Sequence, residues 1–446
     1  MTKSFNKDFK ELLAAAVVQP TESQSGDRPQ ALSAYLGWLQ ETLLDGMAFD
    51  SQVFANPREG EPPILVAMRV EGADLSTVLV YGHGDVVLGM DERWRAGLSP
   101  WALTEEGDRW YGRGAADNKG QHLVNIFALR KVLNAKGKLG FNVTLLIEMA
   151  EERGSPGLAE FCAQNKERLQ ADVLIASDGP RLEAARPTVF LGARGALNFD
   201  LVVDLREGVH HSGNWGGLLK DPTIRLSHAL ASIAGSKGEL LIADWRPSSF
   251  TPEIRELLKS CKLPTEMSGI EIDQDWGEAD MTPEEQVFGW NSFAVLAMES
   301  GTPSAPVNAI PGRAAAHCQL RFVVGTDGTR ILPALREHLD QGGFNDVEIV
   351  GYEGEIFHAT RSDPSSDWVQ MAVKSIKATT GKDPAILPNL GGSLPNEIFT
   401  DILQIPTVWI PHSYPGCSQH APDEHNLLSI LEEGVEVMMG VWGEIE

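Results

Sequence analysis

Three segments constrain this chain's architecture more than any others. STVLVYGHGDVV, FNVTLLIEMAEE and ADVLIASDGP are each a short apolar, β-branched run that stops in an acidic or Gly-rich loop. Each reads as a buried strand. After the first comes KGQHLVNIFALRKVLNAKG, whose spacing predicts an amphipathic helix. Strand, loop, helix, strand in this rhythm predicts an α/β fold with a mixed, largely parallel sheet flanked by helices. Such sheets bind ligands outside the carboxyl ends of their strands, where neighbouring loops converge. Those ends carry His83 and Asp85, then Glu151 and Glu152, then Asp178.

Before this core, residues from about Lys7 to Val17 and from about Pro29 to Leu44 carry helix-spaced apolar positions. From about Ala193 the pattern changes. GALNFDLVVDL alternates like a half-exposed strand, HHSGNWGG is a Gly-rich loop, and a polar, Pro-interrupted stretch runs to about Glu299. A strand (AAAHCQLRFVVG), a helix (ILPALREHLDQGG) and a strand (VEIVGYEG) follow. The parallel pattern then resumes with a helix near Trp368 to Thr379, the strand TVWIPHS and a closing helix from about Leu427 to Trp442. A chain of 446 residues exceeds the roughly 250–300 at which one hydrophobic core stops growing. These patterns predict a catalytic domain of residues 1–192 and 356–446, with an α+β domain of residues 193–355 inserted in it.

The formal charge of −25, from 62 acidic and 37 basic side chains, repels phosphate backbones and anionic lipid, so neither nucleic acid nor membrane is an expected partner. No apolar stretch of about 20 residues offers a membrane span. Cys162, Cys261, Cys318 and Cys417 are far apart and form no CxxC pair, which fits a reducing, cytoplasmic address.

A two-metal hydrolytic site needs neutral imidazoles, ionised carboxylates, one carboxylate able to bridge, and a further carboxylate to handle protons. The strand-end loops hold that inventory. In YGHGDVV, Asp85 follows His83 by two residues, placed to accept the other ring N–H and fix the tautomer. In MAEERGSP, Glu151 and Glu152 repel each other unless cations or solvent offset their charge, so one can ligate while the other points elsewhere. In YGRGAADNKG, Asp117 enters a helix, where Asp117 or Asn118 acting as a helix cap fits equally well. Asp178 in SDGP and His420 in HAPDEH sit, taken singly, in ordinary loops.

Together and in this order the motifs resemble the M20 family of metallopeptidases, which includes carnosine dipeptidase, succinyl-diaminopimelate desuccinylase, aminoacylase and carboxypeptidase G. The resemblance runs from about residue 80 to the C-terminus. It implies two divalent ions per chain, zinc first, with Mn2+ or Co2+ as alternatives. His83 and Asp178 would hold one ion, Glu152 and His420 the other, and Asp117 would bridge. Glu151 would be the general base and acid, and Asp85 the orienter of His83. It also implies a cis peptide bond between Asp117 and Asn118. The inserted domain becomes a ferredoxin-like lid and dimerisation domain, in which VHHSGNWGG resembles the segment whose histidine, here His211, stabilises the oxyanion in a partner subunit's site. His210 competes for that role, as His425 does for His420. VNAIPGRAAAHCQLRF implies substrate contacts from Asn308 and carboxylate recognition by Arg321, and GGSLPNE implies further contacts from Gly392 and Ser393.

The expected reaction is hydrolysis of the amide of a dipeptide or short peptide with a free carboxylate, carried out by a homodimer. Action on N-acyl amino acids or as a carboxypeptidase is the alternative within the same chemistry. A non-catalytic relative that binds peptide or metal would lack the base or a ligand, and every one of those positions is filled. Some dipeptidase relatives carry an additional substrate-binding histidine after the lid; around RSDPSSDW none stands in register.

Overall fold

The computed structural model describes residues 2–263, 266–267 and 270–445. It opens with α1 (Thr2–Val17) and α2 (Pro29–Leu39). The second starts on a proline, at a position whose amide would have no helical partner. The helix expected to run to Leu44 changes its hydrogen bonding at Gln40 and ends as a π-type turn over Gln40–Leu44. There follow β1 (Asp50–Phe54), β2 (Ile64–Arg69), β3 (Thr77–His83), α3 (Lys119–Lys136), β4 (Asn142–Glu148), β5 (Val173–Ala176) and β6 (Thr188–Phe190).

The chain then leaves this layer. β7 (Gly195–His211), α4 (Pro222–Ile233), α5 (Pro283–Phe288), β8 (Ser292–Ser300), β9 (Ala309–Phe322), α6 (Ile331–Gln341) and β10 (Glu348–Phe357) come next. It returns through α7 (Asp367–Thr380), β11 (Ala385–Leu387), β12 (Thr407–Trp409) and α8 (Leu428–Glu444). One sheet of eight strands, ordered β1-β2-β4-β3-β5-β12-β6-β11, therefore gathers segments from before and after the excursion. Its centre is parallel, with β4, β3, β5 and β12 aligned, and antiparallel pairs join β1 to β2, β2 to β4 and β12 to β6.

The near-continuous apolar runs are buried on both faces. Val78 and Val80 of β3 pack with α1, α2, α3 and α8, while Leu79 and Tyr81 point into a second core on the opposite face. The lid sheet, β8-β9-β7-β10, is antiparallel throughout and covered on one face only. Alternation follows from that: Leu197, Phe199, Leu201 and Val203 of β7 turn inward against Leu226 and Ile233 of α4 and Leu335 and Leu339 of α6.

The polar stretch before Glu299 is more ordered than its composition suggests. Short helices start on Thr251 and Thr282, each capping its helix through its side chain, and the second forms a full capping box with Glu285. Ile254, Leu258, Cys261 and Phe288 from this stretch join the core that holds Phe190, Leu387 and Leu390. Part of the inserted segment thus packs on the catalytic layer. Among the described residues no helix is long and apolar enough to cross a membrane, and all four cysteines are buried and free.

The outgoing and returning connections between the two sheets run side by side. Thr360 N–H donates to Ala193 O (3.0 Å), Ser362 N–H to Leu191 O (2.7 Å), and Ala193 N–H to Thr360 Oγ1 (3.2 Å). Gly192 permits this approach, since a Cβ there would lie 2.1 Å from Thr360 O. Gly192→Ala is expected to cost about 1–3 kcal/mol of stability, because backbone rather than a flexible side chain must yield. Urea unfolding of the two proteins checks this.

Candidate dinuclear metal site

β3 delivers His83 at its carboxyl end, fully buried between two glycines that have no room for a side chain. A Cβ on Gly82 would meet His122 Cβ at 2.5 Å, and one on Gly84 would meet Tyr35 Cε1 at 2.5 Å. The ring's Nδ1 lies 3.1 Å from Asp85 O and 3.3 Å from Asp85 Oδ1. With Nδ1 engaged there, Nε2 faces Asp117 Oδ1 (3.1 Å), Asp178 Oδ2 (3.5 Å) and Glu151 Oε2 (3.8 Å). Asp85 does more than its spacing from His83 predicts. Its carboxylate also accepts the backbone N–H groups of Glu151 and Glu152 (3.2 Å each), so it fixes the acidic turn relative to His83.

Asp117 is held from behind. Glu424, itself buried, accepts through Oε1 from the amides of Gly114 (3.0 Å), Ala116 (3.0 Å) and Asp117 (3.1 Å), while Oε2 pairs with the buried Arg113 Nη1 at 2.6 Å. The peptide bond between Asp117 and Asn118 is cis. Asn118 occupies the N-cap position of α3, yet its side chain makes no capping bond. Instead its Nδ2 donates to Ser177 O (2.8 Å), tying the loop to the residue before Asp178, and its Oδ1 meets His122 Nδ1 (3.2 Å). His122 Nε2 in turn meets the Tyr35 hydroxyl at 2.7 Å. The helix-cap reading of Asp117 and Asn118 is therefore set aside: Asp117 faces the cluster and Asn118 braces it.

Asp117 Oδ2 looks the other way, to His420 Nε2 at 2.9 Å, and it also accepts from Gln419. His420 Nε2 lies 3.1 Å from Glu152 Oε2. His425 is occupied elsewhere, its Nε2 with the Tyr414 hydroxyl (2.6 Å) and its Nδ1 with Asp423 O (2.9 Å). The side chains thus form two triads sharing Asp117: His83, Asp117 and Asp178, and Asp117, Glu152 and His420. In each, one ligand-type atom per residue lies within 4.8 Å of the others.

The electrostatics are those of crowded, buried carboxylates. Burial, reinforced by the charges of Asp178, Glu152 and Asp117, pushes the Glu151 carboxyl well above the usual range. Burial and the neighbouring Asp117 push Glu152 up to about 7. Burial would raise Asp117 too, but hydrogen bonds with His420 and His83 hold it below the usual range. Burial would lower His83, yet the fields of Glu151, Asp117, Asp178 and Asp85 together keep its imidazolium well above the ordinary value. Hydrogen bonds to Asp117 and Glu152 raise His420 to about 11.

Five carboxylates against two imidazoles leave an excess of negative charge that a pair of dications offsets. The donors are the nitrogen and oxygen set that zinc accepts, and Glu152 Oε1 is buried with no hydrogen-bond partner among the described residues. The residues present fit two such ions.

Asp117, Glu151, Asp178 and His420 open into one cavity of about 450 Å³, which Arg321, Gly392 and Ser393 also line. Arg321 Nη1 donates to Ser393 Oγ at 3.0 Å. His211 and Asn308 are not among its lining residues. They neighbour each other on the lid, where Ser212 N–H donates to Asn308 O (2.9 Å) and His211 Nδ1 accepts from Gly213 N–H (3.1 Å). His210 stands beside Trp215, its Nε2 buried without a hydrogen-bond partner among the described residues. Sequence reasoning passed over Glu424, Arg113 and Gln419, and took Asn118 only as a helix cap or as the partner in a cis peptide bond. Glu424 was visible as a second carboxylate in HAPDEH, whereas the reach of Arg113 and Asn118 depends on contacts across the fold.

Paired imidazole and carboxylate triads at the carboxyl ends of a mostly parallel sheet, beneath an antiparallel lid, define a metallohydrolase of the two-ion kind. The chain belongs to peptidase family M20/M25/M40, whose model matches residues 79–444. It is 26% identical to the Beta-Ala-His dipeptidase of Mus musculus over 81% of this chain and 76% of that protein. It is 27% identical to the cysteinylglycine-S-conjugate dipeptidase of Corynebacterium striatum over 77% and 75%. The M20 family metallo-carboxypeptidase of Sulfolobus solfataricus superposes with a TM-score of 0.79 at 26% identity, covering 100% of this chain and 99% of that one. Human carnosine dipeptidase 1 shares the fold, with a TM-score of 0.80 at 23% identity over 99% and 97%.

Glu424→Ala leaves the Arg113 guanidinium and three amides without their acceptor. The expected loss is about 3–5 kcal/mol, the cost of stranding a buried charge. Denaturant unfolding with a chelator present in both samples reads it apart from any contribution of bound cations.

Proposed function

We propose that the protein is a dinuclear-metal dipeptidase that hydrolyses the amide of short peptides with a free carboxylate. The observation that carries this reading is the pair of triads sharing Asp117 in the cavity that Arg321 and Ser393 also line. Dipeptidases among the relatives support the substrate class. His83, Asp117 and Asp178 would hold one ion and Asp117, Glu152 and His420 the other, zinc being the first choice and Mn2+ or Co2+ the alternatives. Bound there, the ions supply Lewis-acid polarisation of the scissile carbonyl and a water of lowered pKa.

The remaining work falls to the chain's own groups. Glu151, ionised once cations in the cluster offset the burial and carboxylate repulsion that raise its carboxyl, would take the proton of the attacking water and return it to the leaving amine. Asp85 positions His83 and the backbone of Glu151. Arg321, Ser393 and Gly392 receive the substrate carboxylate, the planar guanidinium offering two parallel donors. Residues 1–192 and 356–446 form the catalytic domain in this reading, and residues 193–355 the lid and dimerisation domain.

His211 and Asn308 act from the lid of a second subunit, His211 as donor to the developing oxyanion. β8 is an edge strand with Val295, Leu296 and Met298 exposed, a surface suited to pairing two lids. The similarity to a metallo-carboxypeptidase supports a second reading, removal of a C-terminal residue from longer peptides. Comparing dipeptides, longer peptides and N-acyl amino acids as substrates separates these activities.

Three outcomes test the assignment. Glu151→Gln should lower kcat by at least about 10²–10⁴-fold with metal content near that of the parent, measured by steady-state kinetics and elemental analysis. Zinc binding to the metal-free protein at pH 7 should release protons, because His420, at about 11, is protonated and must become neutral to ligate. Calorimetry in buffers of different ionisation enthalpy counts them, and affinity should rise with pH. Leu296→Asp with Met298→Asp should give a monomer by sedimentation and lower kcat as far as His211→Ala does; an active monomer removes His211 from the mechanism.

A further inference from the structure

The loop carrying Gly392 and Ser393 meets three different surfaces in four residues. Leu390 lies against Gly179, the neighbour of Asp178: Gly179 has φ +66°, and a Cβ there would sit 2.9 Å from Leu390 Cδ1. Gly391 faces α5 of the inserted segment, where a Cβ would lie 3.3 Å from Val287 Cγ1 and 3.7 Å from Phe288 Cε1. Ser393 accepts from Arg321. The loop therefore passes from the acidic cluster, along an apolar wall, to the guanidinium.

Val287, Phe288 and Leu263 of the inserted segment line the cavity together with Phe190, Leu387 and Leu394 of the catalytic layer. None of these side chains can pair with a charge. Arg181, which also lines the cavity, is already engaged by Glu433 and donates to Pro411 O (3.3 Å). The wall is fixed in place. Phe288 belongs to the catalytic layer's core, and α5 is held by its capping box and by Arg255 against Glu285 at 3.1 Å.

A substrate whose carboxylate rested on Arg321 and Ser393 would carry its last side chain on the adjacent carbon, in the same cavity as Gly391 and the α5 wall. We propose that Val287, Phe288 and Leu263 form the pocket for that C-terminal side chain and select large apolar residues over glycine or charged ones. This rests on the dipeptidase reading and adds a substrate class to it. Burying a Leu or Phe side chain here should favour such substrates by about tenfold or more in kcat/KM, whereas a charged side chain enters with no partner.

The test uses the zinc-loaded full chain with Ala-Leu, Ala-Phe, Ala-Gly and Ala-Asp. Ala-Leu and Ala-Phe should exceed Ala-Gly by about tenfold or more, and Ala-Asp should fall below all three. In Phe288→Ala, and in Val287→Asp where folding is less at risk, the ratio of Ala-Leu to Ala-Gly should fall about tenfold. A ratio is unaffected by the fraction of folded enzyme. Hydrolysis of Ala-Gly as fast as Ala-Leu, or a ratio that moves in neither variant, overturns the pocket and leaves the dipeptidase reading standing. Failure to hydrolyse any of the four overturns both.

Discussion

Mutual repulsion among Asp117, Glu151, Glu152 and Asp178 is the constraint around which this molecule is arranged. Four carboxylates in one cleft, three of them almost wholly withdrawn from water, stay there only if the surroundings fix them and something positive offsets them. The fold meets the first need with backbone. Asp85 takes the amides of the two glutamates, Glu424 takes the amides of the Asp117 loop, and Asn118 ties that loop to the strand bearing Asp178. The second need is met in part by His83 and His420, whose raised pKa values register the same field that would hold dications.

Such bracing depends on the topology. Parallel β3, β4 and β5 end at the same side of the sheet, so residues far apart in sequence meet without long loops. Glycine does the fine fitting where α2 and α3 press on His83. The acidic loop after β12 completes the site from the far end of the chain, bringing His420 to Asp117 while Glu424, four residues on, holds the backbone beneath it. One short loop therefore supplies both a candidate ligand and the brace for the carboxylate it shares.

Much of this was legible in the sequence because both strand burial and strand-end chemistry are local patterns. The runs STVLVYGH and FNVTLLIE are rich in apolar residues and are buried at nearly every position, and the acidic residues just beyond them converge. The two triads follow from the sequence only through family resemblance, since Asp117 and His420 sit in loops that composition leaves ordinary. Less was legible where the answer lay in contacts across the fold. Arg113 looks like a surface arginine in YGRG, yet it is fully buried on Glu424. The stretch from Ser236 to Asn291 reads as polar and broken by prolines, because its apolar residues are spaced for short capped helices that serve two cores rather than for one amphipathic face.

That divided stretch separates two requirements that a hydrolase must satisfy together. The reacting groups stand on strand ends of the catalytic layer, where a shift of even an ångström would disturb both triads. The wall opposite Gly391 comes instead from α5, in a segment that makes no contribution to either triad. The braces on the cluster, Glu424 and Asn118 behind Asp117 and Asp85 behind Glu151 and Glu152, lie outside that segment. An arrangement of this kind would let the same candidate cation-binding cluster serve substrates with different terminal side chains. In the proposed pocket, what such a chain accepts would be decided by residues such as Val287 and Phe288, which no motif of the cluster predicts.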